Sequence, residues 1–543
     1  MLDVLIIGSG GAGLTAALAA KEMSTVDGVG QGNASILVVG KAYPTNSQTS
    51  MAQGGMNAAL GNVGEDHISS HIADTIKSAR GLCDEDMVRQ MCADAPKTIQ
   101  WLESIGVPFS RLDNGKVGVE TVAQRQMGGA SAKRACYAQD YTGLKILHTL
   151  YDTCLKEDID FLDEHYLLNL ITEKTSTDTI IKGAIFLDIR TGEVKQIDAK
   201  SVIIATGGYA SLYHGYTTNA YGSTGDGVAA VLRAGGAVSD MEFIQFHPTA
   251  LKHSSILISE SARGEGGYLV NTDGERFVDE LKPRDEVARA IFEQFQADKE
   301  VFLDVRHLGE EKLMELLPQE VALCKLHEHI DPATELIPIK PVAHYSMGGI
   351  DVDYALEVTG IKGCFAVGEC SNAKVHGANR LGGNSLLEIT AFGKFAGENA
   401  YKQAVYASSK EASDEQLQRD KKEIETLYTK ENSINFYEQR EALGKLFYEK
   451  VGIVRDNKHL TKAMEEVITM QVMAKKMGLS DKSPTNNTNL IDYLEFQNAL
   501  LLAPTIISAA IARDESRGAH FKVGFKTQDD EKFKQHIVLQ WKD

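Results

Sequence analysis

The chain has 543 residues, of which 43% are hydrophobic and 24% charged, and a formal net charge of −19. That length exceeds one ordinary domain and points to two or three structural units of a globular protein. The negative balance speaks against a nucleic-acid or anionic-membrane partner, whose phosphates would be repelled. The seven cysteines (Cys83, Cys92, Cys136, Cys154, Cys324, Cys364 and Cys370) contain no CxxC pair. They suggest a reducing compartment, with no disulfide framework, attached haem or other metal site.

Leu2 to Ile7 is an apolar run, followed by Gly8, Gly10 and Gly13 in a GxGxxG pattern. "LTAALAAKEM" then predicts a helix, and "ASILVVGK", after a glycine-rich loop at 27–34, a second strand. In such a strand–turn–helix–strand unit the glycines allow a tight turn and bring backbone amides at a helix N-terminus against a pyrophosphate. The acid that usually binds ribose, about 20 residues further on, is missing; Gly40 and Lys41 stand there. No charged or twin-arginine stretch precedes the first strand, so no export signal is expected. No uninterrupted apolar run reaches membrane-spanning length, so no span is expected either.

"TNSQTSMAQGG" at 45–55 is a polar loop ending in paired glycines, suited to lie flat against a large planar ligand. "AKSVIIATGGYA" (199–210) and "GCFAVGEC" (363–370) are two more strands ending in glycine turns. The long insert between them predicts a nucleotide-binding domain interrupted by a second domain. From about residue 405 the pattern turns charged and helical.

Six segments carry a resemblance: "GSGGAG", "SQTSMAQGG", "ATGGY…TTN…STGDG", "QFHPTAL…SESARGEGGYL…PRDEVARAI", "HYSMGGI…GECSNAKVHGANRLGGNSLLE" and "ARDESRGAH". In this order and over nearly the whole chain, they resemble the flavoprotein subunits of succinate dehydrogenases and fumarate reductases. The resemblance implies an α/β fold: a Rossmann-like FAD-binding domain (1–237 and 348–404) interrupted by an α+β capping domain (238–347). A helical domain (405–515) and a C-terminal tail (516–543) would follow. It further implies FAD held by Gly8, Gly10, Gly11, Gly13, Lys41, Gln48, Thr49, Gln53, Gly54, Gly55, Asp226, Glu369, Ser385 and Leu386. A helix starting near Ser385 would aim its positive end at the flavin.

In membrane-bound relatives the flavin loop reads Ser-His-Thr, and that histidine carries the flavin covalently. Here the triplet is Ser47-Gln48-Thr49, with no histidine between 42 and 66. A glutamine amide nitrogen is not a nucleophile, so FAD is expected to be non-covalent. Loss of the link should favour fumarate reduction over succinate oxidation. The implied substrate is a C4 dicarboxylate. His344 and Arg380 would hold one carboxylate, and His247 and Ser259 the other. Arg284 would be the proton donor, resupplied through Glu260 and Arg263. The intervals match the family's catalytic core: His247 to Ser259 is 12 residues and Glu260 to Arg284 is 24. Ser259 replaces the family's usual threonine, and Met127 its usual phenylalanine. His376 either supports the flavin pocket or caps a turn.

With no CxxCH and no room for a haem or flavin donor domain, none is expected here, so the resemblance implies an iron–sulfur subunit and a membrane-associated, quinone- or thiol-reactive one. It would be cytoplasmic, held peripherally at the inner face of the membrane. The short tail after "ESRGAH" puts the standard docking surface in question. Two alternatives stay open. L-aspartate oxidase also has non-covalent FAD, but would need an acid near Met127 to meet the substrate ammonium. A non-catalytic flavoprotein scaffold would not need the cation set.

Overall fold

The structure, a computed structural model, describes residues 1–26, 34–112, 118–407 and 411–541. The glycine-rich loop expected at 27–34 falls almost wholly outside them. The N-terminal apolar run forms strand Leu2–Ile7, with Val4, Leu5 and Ile6 fully buried. It lies inside a parallel sheet. Ile36–Val39 pairs on one side, with Leu5 opposite Leu37, and Val194–Ile204 on the other, with Leu5 opposite Val202. Asp160–Leu162 continues the sheet past Ile36–Val39, and Cys364–Ala366 joins it parallel to Val194–Ile204. Strands covered on both faces read as unbroken apolar runs. The chain leaves this sheet after Ile204 and returns at Cys364.

The first half of Val194–Ile204 pairs differently. It lies antiparallel to Thr179–Asp188, which is antiparallel in turn to His165–Lys174. This hairpin brings His165 beside the end of Ile36–Val39, where its N–H donates to the Gly40 carbonyl at 2.9 Å.

The inserted segment builds a second sheet, antiparallel, in the order Ile244–Leu251, Ile337–Ser346, Val301–Asp304, Tyr268–Asn271. Helices Glu260–Gly264, Arg284–Gln296 and Pro318–His327 accompany it. It has its own apolar core, including Leu251, Ile258, Leu269, Val287, Leu303 and Ile339.

Helices Glu415–Thr429, Phe436–Lys450, Asn457–Ala474 and Thr488–Ala512 follow, and their apolar faces share one core with the parallel sheet. Thr488–Ala512 is the most apolar long helix among those four. By length and average hydropathy it could cross a membrane, although its apolar residues are interrupted. Here 67% of its most apolar stretch is buried. It packs against Asn457–Ala474 and sends Glu495 to Lys41, just past the end of Ile36–Val39. The tail returns to the body: Val538–Gln540 pairs antiparallel with Ala237–Ser239, and the Ile537 N–H donates to Asp240 at 3.0 Å.

Candidate active site

A cavity of about 350 Å³ runs from the turn after Leu2–Ile7 to the boundary between the two sheets. At one end the backbone does the work. Gly8 has φ +117°, and a Cβ there would lie 2.1 Å from the Ala205 carbonyl oxygen. Only glycine lets the first strand turn this close to its neighbour. Gly10 caps helix Gly11–Ser24 without a side-chain hydrogen bond. The Gly11 N–H donates to Thr49 Oγ1 at 3.1 Å, tying the polar loop to this turn. Gly13 lies off the cavity: a Cβ there would meet the Gly8 carbonyl oxygen at 1.9 Å. It serves helix–strand packing rather than ligand contact.

Lys41 stands where the ribose-binding acid is missing. Its Nζ donates to Asp226 Oδ2 at 2.5 Å and Glu495 Oε1 at 2.7 Å. Burial alone would lower the lysine pKa, but the two carboxylates hold it above its usual range. Asn498 Nδ2 also reaches Asp226, at 2.9 Å. Glu495 and Asn498 come from Thr488–Ala512, far along the chain, and nothing local in the sequence signals them.

In the middle of the cavity, Gln48 Oε1 accepts from the Ala220 N–H at 2.8 Å. Gln53, Gly54 and Gly55 line the same stretch. Helix Asn384–Tyr406 begins here behind Gly383, with no side-chain cap. Ser385 and Leu386 therefore present uncapped first-turn amides to the cavity, with about half a positive charge. Glu369 Oε1 accepts from Ser346 N and Oγ at 3.0 and 3.1 Å. Burial pushes its pKa up to about 7.

At the far end, one short helix and two strands converge. Ser259 caps helix Glu260–Gly264, its Oγ accepting from the Ser261 N–H. This places Glu260 in the first turn, where Oε2 accepts from Arg284 Nη2 at 2.6 Å and Nε at 3.0 Å. Glu260 Oε1 accepts from the Gly128 N–H at 3.1 Å and lies 3.5 Å from Arg263 Nη2. Burial would raise the Glu260 pKa, but Arg284 and Arg263 outweigh it and hold the group ionised. Arg263 does not line the cavity. It sits behind Glu260, fully buried, with Nη1 donating to the Glu280 carbonyl at 2.6 Å.

Arg284 Nη1 donates to Gln245 Oε1 at 3.0 Å, and Gln245 Nε2 donates to the Arg380 carbonyl at 2.8 Å. Gln245 thus joins the two arginines. It lies two residues before His247 on the strand, hence on the same face; that alternation was the available signal. Arg380 lies 4.3 Å from the Tyr345 ring centroid, and its Nε is buried without a partner. Burial, then the like charge of Arg284, pushes its pKa down to about 10.

The rings of His247 and His344 are 4.9 Å apart. Burial, then Arg284, holds both imidazoles well below their usual pKa, so both are neutral. Met127 is buried in the same wall; its Cε would lie 2.7 Å from a Cβ on Gly54. His376 stands one layer back. Its Nε2 is 2.9 Å from Glu388 Oε2, which also accepts from Tyr345 Oη.

The residues fit FAD. Besides the glycine turn and the two helix N-termini, Ser47 Oγ, Gln53 Oε1 and Thr206 Oγ1 are buried without partners, and all three residues line the cavity. Buried polar atoms seldom go unpaired in a native fold, and a polar planar ligand would satisfy them.

Comparison with known proteins agrees. The FAD-binding-domain family matches residues 3–386, and the fumarate reductase flavoprotein C-terminal family matches residues 440–543. The chain is 37% identical to the fumarate reductase flavoprotein subunit of Haemophilus influenzae, over 99% of this chain and 91% of that one. It is 38% identical to the succinate dehydrogenase flavoprotein subunit of Coxiella burnetii, over 99% and 94%. A solved quinol–fumarate reductase with menaquinol molecules superposes with a TM-score of 0.91 at 35% identity, over 99% of this chain and 97% of that one.

Proposed function

The chain belongs to the fumarate reductase and succinate dehydrogenase flavoprotein family of FAD-dependent oxidoreductases, and on that premise we propose that it interconverts fumarate and succinate, biased towards fumarate reduction. The observation that carries the reading is charge. Arg263, Arg284 and Arg380 outnumber the carboxyl groups beside them, an ionised Glu260 and a Glu369 whose pKa is pushed up to about 7, and both histidines are neutral. The cluster keeps a net positive charge, which a dicarboxylate dianion would offset. An uncompensated buried cation is unfavourable, and the depressed pKa of Arg380 registers that.

His344 and Arg380 hold one carboxylate, and His247 and Ser259 the other. Neutral imidazoles serve as N–H donors without adding charge. Gripping both ends fixes the alkene relative to Arg284. Bound FAD, held by the glycine turn, the Lys41–Asp226 pair and the Ser385 helix end, supplies the two electrons as hydride. Arg284 gives a proton to the opposite carbon. Its hydrogen bonds to Glu260 make that loss reversible, since Glu260 lies between Arg284 and Arg263 and passes the replacement proton.

Gln48 offers no nucleophile and has its carbonyl engaged by Ala220, which supports non-covalent FAD. Electrons arrive from an iron–sulfur subunit, with a quinone- or thiol-reactive subunit beyond it and peripheral attachment to the inner face of the membrane. Met127 gives the pocket an apolar wall where an ammonium group would need an acid, which argues against L-aspartate as substrate.

The test is anaerobic turnover of the FAD-loaded protein with a reduced dye and fumarate, against succinate with an oxidised dye and L-aspartate with oxygen. Faster fumarate reduction and no aspartate oxidation are expected, with all flavin in the supernatant after acid precipitation. Aspartate oxidation, or succinate oxidation at an equal or greater rate, would contradict the reading.

A further inference from the structure

We propose that Thr218 is a positioning residue that sets the tautomer of His344. The inference rests on the reading of His344 as a substrate contact. Thr218 belongs to a strap, Thr217–Ala220, pinned along its length. The Thr218 N–H donates to the Ala343 carbonyl at 3.0 Å, and Thr217 bridges Ala343. Asn219 Nδ2 donates to the His344 carbonyl at 2.6 Å. The far end is fixed by Gln48, whose Oε1 accepts from the Ala220 N–H at 2.8 Å. The flavin loop and the substrate histidine are therefore joined by four residues.

Within this strap the Thr218 hydroxyl lies 2.7 Å from His344 Nδ1, and Thr218 is buried. A neutral imidazole carries one proton, on either nitrogen. If Nδ1 held it, Nε2 would turn a lone pair towards a carboxylate and repel it. A Thr218 hydroxyl that donates to Nδ1 leaves the proton on Nε2, where it can bond the carboxylate. Burial, and then the nearby cations Arg284 and Arg380, keep the ring from taking a second proton. The hydroxyl can also accept from an Nδ1–H, so the choice is made when a carboxylate arrives: with the proton on Nε2 facing the anion, the hydroxyl turns to donate to Nδ1, and both ring nitrogens are satisfied at no change in net charge.

The experiment is a double-mutant cycle on the FAD-loaded protein. It reads dicarboxylate binding by calorimetry with succinate and malonate, and KM and kcat for fumarate. Thr218→Val should weaken binding and raise KM at least about tenfold, in the range of one lost hydrogen bond to a charged group. Thr218→Ser should restore both to within about threefold. In a His344→Gln background Thr218→Val should have little effect, because an amide has no tautomer to choose. An equal loss in both backgrounds would mean a packing role only and overturn the proposal, as would an unimpaired Thr218→Val. If the unaltered protein binds no C4 dicarboxylate, the functional reading itself fails, which is a separate outcome.

Discussion

Glu320 lies on Pro318–His327 directly behind Ser259, and replacing it with glutamine should change how stability depends on pH. Its Oε1 accepts from the Ser259 N–H at 2.9 Å, while Oε2 is buried without a partner. Burial, then the neighbouring Asp140 carboxyl, pushes its pKa from 4.5 up to about 8. An acid whose pKa is raised by folding imposes no penalty below its unfolded pKa. The penalty grows as pH rises from about 4.5 to about 8 and is constant above that. A gap of between three and four pKa units corresponds to about 5 kcal/mol at its full extent. Glu320→Gln keeps an acceptor for Ser259 and cannot ionise. The two proteins should therefore unfold at similar urea concentrations at pH 5, and the variant should be the more stable at pH 9 by several kcal/mol. Urea titration of the FAD-loaded proteins at pH 5, 7 and 9, followed by flavin and tryptophan fluorescence, measures the difference. Parallel curves at the three pH values would refute the assignment of a neutral, buried Glu320.

Gly382→Ala places a Cβ 2.5 Å from Glu260 Oε2 and 3.5 Å from Arg284 Nη2. Displacing that pair should lower kcat about 10²-fold with FAD content unchanged, whereas Gly64→Ala, with nothing within 4 Å, should leave kcat unaltered. Lys41→Met leaves Asp226 and Glu495 as a buried pair of acids, and should cost about 3–5 kcal/mol of stability along with FAD retention; thermal unfolding and flavin absorbance report both. Because His247 and His344 are held well below 6.5, they stay neutral at and above that pH and protonate only well beneath it. Any change in the KM for fumarate between pH 6 and 8 should therefore come from Glu369, whose pKa is about 7, and vanish in Glu369→Gln; a titration centred near 6.5 that survives in that variant would contradict this.

The parallel strands were legible because double burial makes Leu2–Ile7 and Val194–Ile204 nearly all apolar, and glycine turns close them. The hairpin His165–Lys174 with Thr179–Asp188 was missed, since one half-exposed strand end blurs its pattern. Thr488–Ala512 shows how far sequence reaches. Its helical character is plain, yet that it sends Glu495 to Lys41 is decided by packing over more than 400 residues of chain. At the arginine-rich end of the cavity, Arg284, Glu260 and His247 could be picked out by their spacing. Arg263 could be too, but its place behind Glu260 rather than in the cavity needed coordinates. Thr218 lay inside a quoted motif, and only the fold puts its hydroxyl against His344.

The most direct test is Arg284→Ala in the FAD-loaded protein, assayed anaerobically with reduced dye and fumarate alongside its flavin spectrum and succinate binding. Fumarate reduction should fall by about 10³-fold or more, within the range of a lost general acid, with flavin bound stoichiometrically and succinate still held by Arg380 and His344. Turnover within about tenfold of the unaltered protein, at full flavin content, would remove Arg284 as proton donor and with it the mechanism.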